Sequence, residues 1–536
     1  MSARALFIGL DGATFTILDS LMNEGVMPRL SEVLRHGTRG ELASVIPPLT
    51  PPAWTSLMTG RSPGNHGIFD FLRFEFRAGG QQLRVLDAND VGAPTIWNIA
   101  GQHGIRSSVL NFPMTFPVRD FPGTVVPGWV PWRHLRLACY PRSLYDRVSA
   151  AIPNFNPREL AMDMALEERA LEGCHSEEDY ETLINLHIRR ERQWFEVARY
   201  LMAEEPTDIV AVLFDGVDKL QHFCWRFLDP NIFPASPSDF ERKVRACCLQ
   251  YFREIDGFIG ALADTAGADT PLFIASDHGF GPTTEVFFLN EWLHRNGYLV
   301  WADSVNVEQK HPEMLGMGTM ARRFYEIDWE KTTAYCPTPS SNGIFITPRG
   351  LNGAGVSPDG YYAFREALAE KLKHFQDPVT GIRPVTSIAV RDQAFAGTFM
   401  ESAPDLTLSL RDGGLVSILP SDVLVKPRPE TTGAHRPNGV FFARGPGIRK
   451  SASTESLSIL DVAPTMLHAL GIAIPRELEG RVPDALFESG YLDSHPVAFE
   501  GTPRSTAAAA GSEAAAPDPT MQEDVIGQLR ALGYME

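Results

Sequence analysis

Acidic and imidazole side chains follow short apolar segments at several points of the sequence. They occur in "ALFIGLDG", "DIVAVLFDGVDKLQH", "PLFIASDHG" and "TTGAHRPNG". Carboxylate oxygens and imidazole nitrogens form the ligand mixture that suits Zn²⁺ or Mn²⁺. Two such ions roughly 4 Å apart can stabilise the attacking and the leaving oxygen of an in-line phosphoryl displacement. The candidate metal ligands are Asp11, Asp218, His222, Asp277, His278 and His435.

Each of these residues taken alone has an ordinary explanation. Asp11 before a glycine is typical of a turn, and a single loop histidine such as His435 more often satisfies a local hydrogen bond than binds a metal. Asp218 and His222 share a face if they lie on a helix, as many surface pairs do. Asp215 is a further possible ligand, but the spacing to His222 favours Asp218. The six residues together indicate a metal site more strongly than any one of them.

Thr50 is the candidate nucleophile for this chemistry. The segment "TPPAWTSLMTG" predicts a helix with Thr50 as its N-cap and Pro51 at the first helical position, where a missing N–H is tolerated. A helix N-terminus also favours an anion, either an alkoxide or a phosphoryl oxygen. On helix statistics alone Thr50 is only a cap, so its role depends on the metal ligands.

The elements that must position these side chains form an α/β pattern. Short apolar runs typical of buried, parallel strands alternate with helical patterns, and ligands of open α/β sheets bind at the carboxyl ends of the strands. The predicted strands are 5–10, 107–111, 208–214, 271–276, 405–410 and 439–443, and the predicted helices include 160–203, 240–265 and 361–374.

Five motifs in this order resemble the alkaline phosphatase superfamily, and within it the type I phosphodiesterase/nucleotide pyrophosphatase family. They are "LFIGLDG", "TPPAWTSLMTGRSPGNHGI", "FDGVDKLQH", "ASDHGF" and "GAHRPNGVFFARGPGI". The resemblance implies an alkaline-phosphatase-like fold, with a mostly parallel central sheet flanked by helices and with cap insertions. Residues 1–500 would form the catalytic domain, with insertions at roughly 115–205 and 283–400. Residues 501–519 are low in complexity and predict a flexible linker, and residues 520–536 a short C-terminal helix.

The resemblance also implies a role for each site residue. One metal would be held by Asp218, His222 and His435, and the other by Asp11, Asp277 and His278. Thr50 would bind the second ion and attack phosphorus, giving a phospho-threonine intermediate. An asparagine binds a phosphoryl oxygen in the nucleotide pyrophosphatases, and Asn111, which follows a predicted strand, is the candidate here; a strand-end turn residue is the alternative.

The substrate is less well defined than the reaction. Better-known nucleotide pyrophosphatases read T-F-P-N where this chain reads "TPPA" from Thr50. Phosphodiesters or pyrophosphates are the main expectation, and a phosphomonoesterase, phosphonate hydrolase or phosphoglycerate mutase on the same scaffold is the alternative. A sulfatase is less favoured, because the C/S-x-P-x-R segment is missing. A non-catalytic metal-binding protein would be expected to lack part of the ligand set.

Composition limits the partners of the protein. The 536 residues carry a formal net charge of -18, which opposes nonspecific binding to nucleic acid or anionic lipid. The sequence has no apolar run long enough to cross a membrane. Six cysteines without C-x-x-C spacing suit a reducing compartment, so we expect a cytoplasmic protein. The expected partner is a small phosphate ester substrate. The oligomeric state is not indicated.

Overall fold

The computed structural model of the chain describes residues 3–77, 80–160, 176–302, 326–349 and 355–500. Its helices are α1 (Phe15–Asn23), α2 (Pro28–Arg35), α3 (Thr50–Thr59), α4 (Pro63–His66), α5 (Ile96–Gln102), α6 (Leu135–Ala138), α7 (Leu144–Ala151), α8 (Pro157–Leu160), α9 (Glu177–Glu204), α10 (Gly216–Leu228), α11 (Asp239–Ala266), α12 (Leu289–Arg295), α13 (Tyr361–Lys373), α14 (Arg391–Ala394), α15 (Val462–Ala469) and α16 (Tyr491–Ser494).

The strands of the described residues are β1 (Ala5–Leu10), β2 (Gly37–Ala43), β3 (Leu72–Arg77), β4 (Gly80–Val85), β5 (Ser107–Leu110), β6 (Gly123–Val126), β7 (Ile209–Phe214), β8 (Leu272–Ala275), β9 (Gly279–Phe288), β10 (Ala334–Tyr335), β11 (Gly343–Ile346), β12 (Val385–Val390), β13 (Leu406–Leu410), β14 (Leu415–Ser417), β15 (Val425–Arg436), β16 (Asn438–Arg444), β17 (Ala452–Ser453) and β18 (Leu457–Ser458).

The central sheet has the strand order β17-β2-β16-β8-β1-β7-β5-β6, with β18 also paired to β2. Strands β8, β1, β7, β5 and β6 are parallel to one another. Helices cover both faces of this sheet. The predicted α/β class with a mostly parallel sheet is therefore confirmed.

The continuous apolar sequence of β1 follows from burial on both faces of the sheet. Leu6, Ile8 and Leu10 pack into a core with α1, α2, α9, α10 and α11. Ala5 and Phe7 point the other way and pack with α3, α5 and α15. A strand covered on both faces needs no polar alternation, so its only polar positions come at its ends.

Two predicted strands differ from the expected parallel arrangement. Residues 439–443 lie within β16, which enters the central sheet but runs antiparallel to β8 and β2. Residues 405–410 correspond to β13, which belongs to a separate antiparallel sheet of order β10-β11-β13-β12. An apolar run shows that a strand is buried, but its direction is set by pairing with residues far away in the chain.

A three-stranded sheet of order β14-β9-β15 connects the separate antiparallel sheet to the central sheet. The edge strand β6 of the central sheet falls inside the 115–205 segment assigned to a cap by sequence. The domain boundaries themselves stay a prediction, and residues 501–519 and 520–536 lie outside the described residues. Among the described helices, none is both long and apolar enough to span a membrane.

Candidate active site

The carboxyl ends of three adjacent parallel strands bring the aspartates of the site together. Asp11 directly follows β1, Asp277 lies two residues after β8, and Asp218 lies in the first turn of α10, which follows β7. Because β8, β1 and β7 are neighbours in the sheet, these ends meet at one edge. All three aspartates are buried.

Helix α10 presents Asp218 and His222 one turn apart on the same face. The Nε2 atom of His222 lies 3.5 Å from Oδ1 of Asp218. The helix is amphipathic in sequence, and its apolar side packs into the core under the sheet edge. The four-residue spacing noted in the sequence therefore places both side chains at the site.

His435 reaches the site because β15 pairs with β9, with His435 opposite Phe280. Its Nε2 atom lies 3.2 Å from Oδ1 of Asp218 and 3.1 Å from Nε2 of His222. His278 precedes β9 directly, and its Nε2 atom is 3.3 Å from Oδ2 of Asp277 and 3.5 Å from Oδ1 of Asp11. The structure thus brings all six predicted ligands together.

The three histidines turn the same ring nitrogen towards a backbone carbonyl. Their Nδ1 atoms lie within hydrogen-bond distance of these carbonyls, at 3.3 Å for His222 to Gly433, 3.0 Å for His278 to Gly279 and 3.1 Å for His435 to Pro48. Each Nε2 atom is then directed into the site. Backbone acceptors on the far nitrogen are typical of metal-ligating histidines, because they fix the ring orientation and the tautomer.

The donor set fits divalent metal ions. Oδ1 of Asp11, Oδ1 of Asp218 and Oδ2 of Asp277 are buried and, within the described residues, have no hydrogen-bond partner. Ligand atoms of two groups each lie within 4.8 Å of one another: Asp218 with His278 and His435, and Asp11 with Asp277 and His278. Unpaired buried carboxylate oxygens are costly unless a cation or a donor satisfies them.

The pKa values of the site reflect crowded acids in a buried place. Burial, together with the neighbouring Asp277 and Asp218, raises the pKa of Asp11 well above its ordinary value. Burial raises the pKa of Asp277 to about 7 and lowers that of His222 to about 4. Burial also acts to raise the pKa of Asp218, but His222, His435 and Lys219 outweigh it and lower that pKa. Divalent cations relieve such repulsion because they are the largest local charges in a site.

Thr50 lies at the start of α3, but it is not the predicted N-cap. The helix begins at Thr50 and its N-cap is Leu49, which makes no side-chain capping bond. Pro52 has no N–H to donate to a threonine cap, and the Ala53 N–H donates to the Leu49 carbonyl at 2.9 Å. The buried Thr50 Oγ1 is instead 3.4 Å from Nε2 of His278, which places the hydroxyl beside the candidate ligands.

Asn111 lies at the same sheet edge, after β5, and the N–H groups of its side chain are engaged by the protein. Its Nδ2 atom donates to the Leu213 carbonyl at 2.9 Å and to Oδ1 of Asp215 at 3.1 Å. Asp215 also accepts from Arg190, whose Nη2 atom is 3.0 Å from its Oδ2. Asp215 is therefore the ion-pair partner of Arg190. The substrate-binding role of Asn111 stays a prediction.

Sequence reasoning missed residues that orient the acidic ligands. Trp54 Nε1 donates to Oδ2 of Asp11 at 3.2 Å, and the Gly12 N–H donates to Oδ1 of Asp277 at 3.1 Å. Gly12 has a φ of +63°, and a Cβ there would lie 2.9 Å from the Phe280 ring. Trp54 stands four residues after Thr50, so it faces the same side of α3, which is the one sequence clue to its role.

The chain matches the type I phosphodiesterase / nucleotide pyrophosphatase family over residues 5–432 and belongs to it. The family identifies it as an enzyme that hydrolyses phosphoric ester bonds. No curated protein matches the chain by sequence.

Solved structures of other proteins share the fold, and two of them are described by their similarity to this chain. Phosphonoacetate hydrolase from Sinorhizobium meliloti 1021, in complex with phosphonoformate, is 15% identical, covers 88% of this chain and 95% of its own, and has a TM-score of 0.51. Human ectonucleotide pyrophosphatase / phosphodiesterase 5 is 15% identical, covers 92% of this chain and 99% of its own, and has a TM-score of 0.50. At this identity the likeness concerns the fold alone.

Proposed function

We propose that the protein is a two-metal phosphoric ester hydrolase in which Thr50 is the nucleophile. The observation that carries this proposal is the position of the Thr50 hydroxyl, which is buried and 3.4 Å from Nε2 of His278 at the edge of the acidic cluster. A hydroxyl that only capped a helix would bond backbone N–H groups, whereas the contact of Thr50 Oγ1 within the described residues is with the His278 ring.

The resemblance to the family divides the residues that would hold the two metals, whereas by distance His278 lies close to both groups. Asp218, His222 and His435 would hold one ion, and Asp11, Asp277 and His278 the other, with Thr50 beside the second. Bound divalent ions would lower the pKa of a coordinated hydroxyl or water and stabilise charge on the leaving oxygen. Zn²⁺ suits this nitrogen and oxygen ligand set, and Mn²⁺ is the alternative.

The reaction then has two displacements at phosphorus. Thr50 loses its proton to solvent, its Oγ1 bonds to phosphorus, and the ester oxygen leaves with the bonding electrons and takes up a proton from solvent, which gives phospho-threonine. Water then attacks the same phosphorus and loses a proton, and the Thr50 oxygen leaves and takes up a proton again. Each displacement inverts the configuration, so we expect net retention.

Phosphodiesters or pyrophosphates are the proposed substrates, with monoesters, phosphonates or a mutase reaction as alternatives that use the same ligand set. Asn111 would help to bind a phosphoryl oxygen only if one of its N–H groups left its present acceptor. Turnover of bis-p-nitrophenyl phosphate and p-nitrophenyl phosphate with added Zn²⁺ or Mn²⁺ tests the reaction class. No turnover of either under both metals would refute it.

A pair of variants on one helix tests the nucleophile. We expect Thr50→Ala to lower kcat by about a thousandfold or more while metal content stays near two ions per chain. Thr55→Val is the matched control, since it removes another buried α3 hydroxyl that has no partner among the described residues. Retention of most activity in Thr50→Ala would refute the phospho-threonine mechanism. His435→Ala should instead lower both metal content and rate.

A further inference from the structure

Gln221 connects the helix that carries Asp218 and His222 to the turn that carries Asp11. It lies on α10 directly before His222 and is 1% exposed. Its Nε2 atom donates to the Gly12 carbonyl oxygen at 2.8 Å, although the two residues are 209 positions apart in the chain. Because Gly12 follows Asp11, this hydrogen bond joins an element of one candidate ligand group to an element of the other.

The contacts of Gly12 extend this connection to Asp277. The N–H of Gly12 donates to Oδ1 of Asp277 at 3.1 Å, while its carbonyl accepts from Gln221. Glycine has more backbone freedom than any other residue, and the φ of Gly12 lies in the left-handed region at +63°. Hydrogen bonds on both sides of Gly12 therefore fix the conformation of the turn. The path from Gln221 to Asp277 consists of two hydrogen bonds and this one residue.

The other polar atom of the Gln221 side chain is unsatisfied. Its Oε1 atom is buried and, within the part of the chain that the structure describes, has no hydrogen-bond partner. A buried acceptor without a donor destabilises the folded state. A methionine would fill a similar space without that cost, so packing does not explain an amide at this position. What the amide supplies is the hydrogen bond to Gly12.

The separation of the two ions matters for the proposed reaction. Two-metal sites hold their ions about 3.5–4 Å apart, so that both the attacking and the leaving oxygen are stabilised. Here α10 and β15 carry one candidate ligand group, and the segments after β1 and β8 carry the other. Movement of α10 relative to the turn after β1 would change the separation of the ions.

We propose, on the basis of the proposed hydrolase function, that Gln221 is a positioning residue that sets the separation of the two metal ions. It holds the turn at Gly12 against α10, and Gly12 in turn holds the carboxylate of Asp277. Gln221 acts through Gly12 and is not itself a metal ligand. Replacement of residues that orient metal ligands commonly changes metal affinity about 10–100-fold.

Two variants remove the hydrogen bond in different ways. Gln221→Met keeps the length of the side chain but has no N–H group, and Gln221→Asn keeps the amide but is one methylene too short to reach Gly12. We expect either variant to raise the Kd of the more weakly bound Mn²⁺ ion by about tenfold in calorimetry of the chelator-treated protein. With both ions bound, their spin–spin coupling in EPR spectra should decrease, because two cations that repel each other move apart when the connection is lost. Gln221→Asn carries the test if Gln221→Met does not fold.

Asn290→Leu is the matched control for the loss of a buried side-chain amide. Asn290 is 2% exposed, and its Nδ2 atom donates to the Cys336 carbonyl oxygen at 2.9 Å. It lies on α12, which packs in the core of the separate antiparallel sheet. Asn290→Leu should lower the midpoint of urea unfolding but leave both the Mn²⁺ Kd and the spin–spin coupling unchanged. A general loss of stability is thereby separated from a change in the metal centre.

Hydrogen exchange of the metal-free protein reports on the turn without bound ions. We expect the Gly12 N–H to exchange about fivefold faster in Gln221→Met than in the wild-type protein, as for the loss of one hydrogen bond. Mass spectrometry of peptides that include residues 11–14 would measure this change. Asn290→Leu should leave the exchange of these peptides unchanged.

The outcomes for the wild-type protein separate the inference from the proposed function. If the wild-type protein binds two Mn²⁺ ions and hydrolyses a p-nitrophenyl ester, an unchanged Kd and spin–spin coupling in the Gln221 variants would overturn the inference alone. The same changes in Asn290→Leu as in Gln221→Met would also overturn it. A wild-type protein that binds no second ion would overturn the two-metal hydrolase, and the inference with it.

Discussion

Arg190 and Asp215 form a buried ion pair at the start of α10, the helix that carries Asp218 and His222. Both side chains are only 4% exposed, and the Nη2 to Oδ2 distance is 3.0 Å. Burial acts to raise the pKa of Asp215, but Arg190 outweighs it and holds that pKa below its ordinary value. We predict that Arg190→Met strongly destabilises the protein, because it leaves a buried carboxylate without its cation.

The expected magnitude follows from the burial of the pair. Removal of one partner from a buried ion pair costs about 3–5 kcal/mol, whereas exposed pairs contribute about 0–1 kcal/mol. Arg136 and Asp146 provide a matched exposed pair with the same 3.0 Å separation but 64% and 57% exposure. Arg136→Met should therefore change stability by less than about 1 kcal/mol.

Urea unfolding of the chelator-treated proteins, followed by tryptophan fluorescence, would measure both changes without a contribution from bound metal. The double variant Arg190→Met/Asp215→Asn should be more stable than Arg190→Met alone, because the amide removes the uncompensated charge and still accepts from Asn111. Losses for Arg190→Met and Arg136→Met within about 1 kcal/mol of each other would refute the reasoning. So would a double variant no more stable than the single one.

Three further predictions concern pH, packing and metal. Burial lowers the pKa of His66 to about 3. An unfolded histidine titrates near 6.5, so the unfolded chain takes up the proton first as the pH falls. Through His66, lowering the pH from 7.5 to 5 should therefore reduce the free energy of unfolding by about 2 kcal/mol. His66→Asn should remove that part of the slope in urea unfolding, and an unchanged slope would contradict the prediction. A Cβ at Gly433 would lie 2.2 Å from the Gln221 carbonyl oxygen, so Gly433→Ala should lower metal content; the control Gly257→Ala, with open space around it, should not. Chelation should lower the thermal midpoint of the wild-type protein, since ions bound to the folded state stabilise it by mass action; an unchanged midpoint with metal shown to be removed would contradict a structural contribution.

The ligand set was accessible from sequence because it depends on local pattern. Each aspartate follows a continuous apolar run, and carboxyl ends of parallel strands meet at one sheet edge. Asp218 and His222 needed only the helical period. The structure brings these residues to one place with no change in the reasoning.

The hydrogen-bond partners of Asn111 and Thr50 could not be predicted from the sequence in the same way. Asn111 was the candidate for binding a phosphoryl oxygen, with a strand-end turn residue as the alternative, and the structure shows that a distant aspartate and a carbonyl accept from its N–H groups. Thr50 looked like an N-cap, yet the helix begins one residue earlier than predicted, at Thr50 itself. The partners of Asn111 lie far away in the chain, and the proline that follows Pro51 has no N–H to offer Thr50.

The sequence by itself determined the class of the fold, the family and the residue types at the site, because apolar period and motif order are properties of short segments. The tertiary structure decided the direction of β16, the membership of β13 in a second sheet, and the meeting of His435 with Asp218 across 3.2 Å. It also placed the Gln221 amide 2.8 Å from the Gly12 carbonyl oxygen. These relations join segments far apart in the chain, and only the packing of the whole core fixes which of them come into contact.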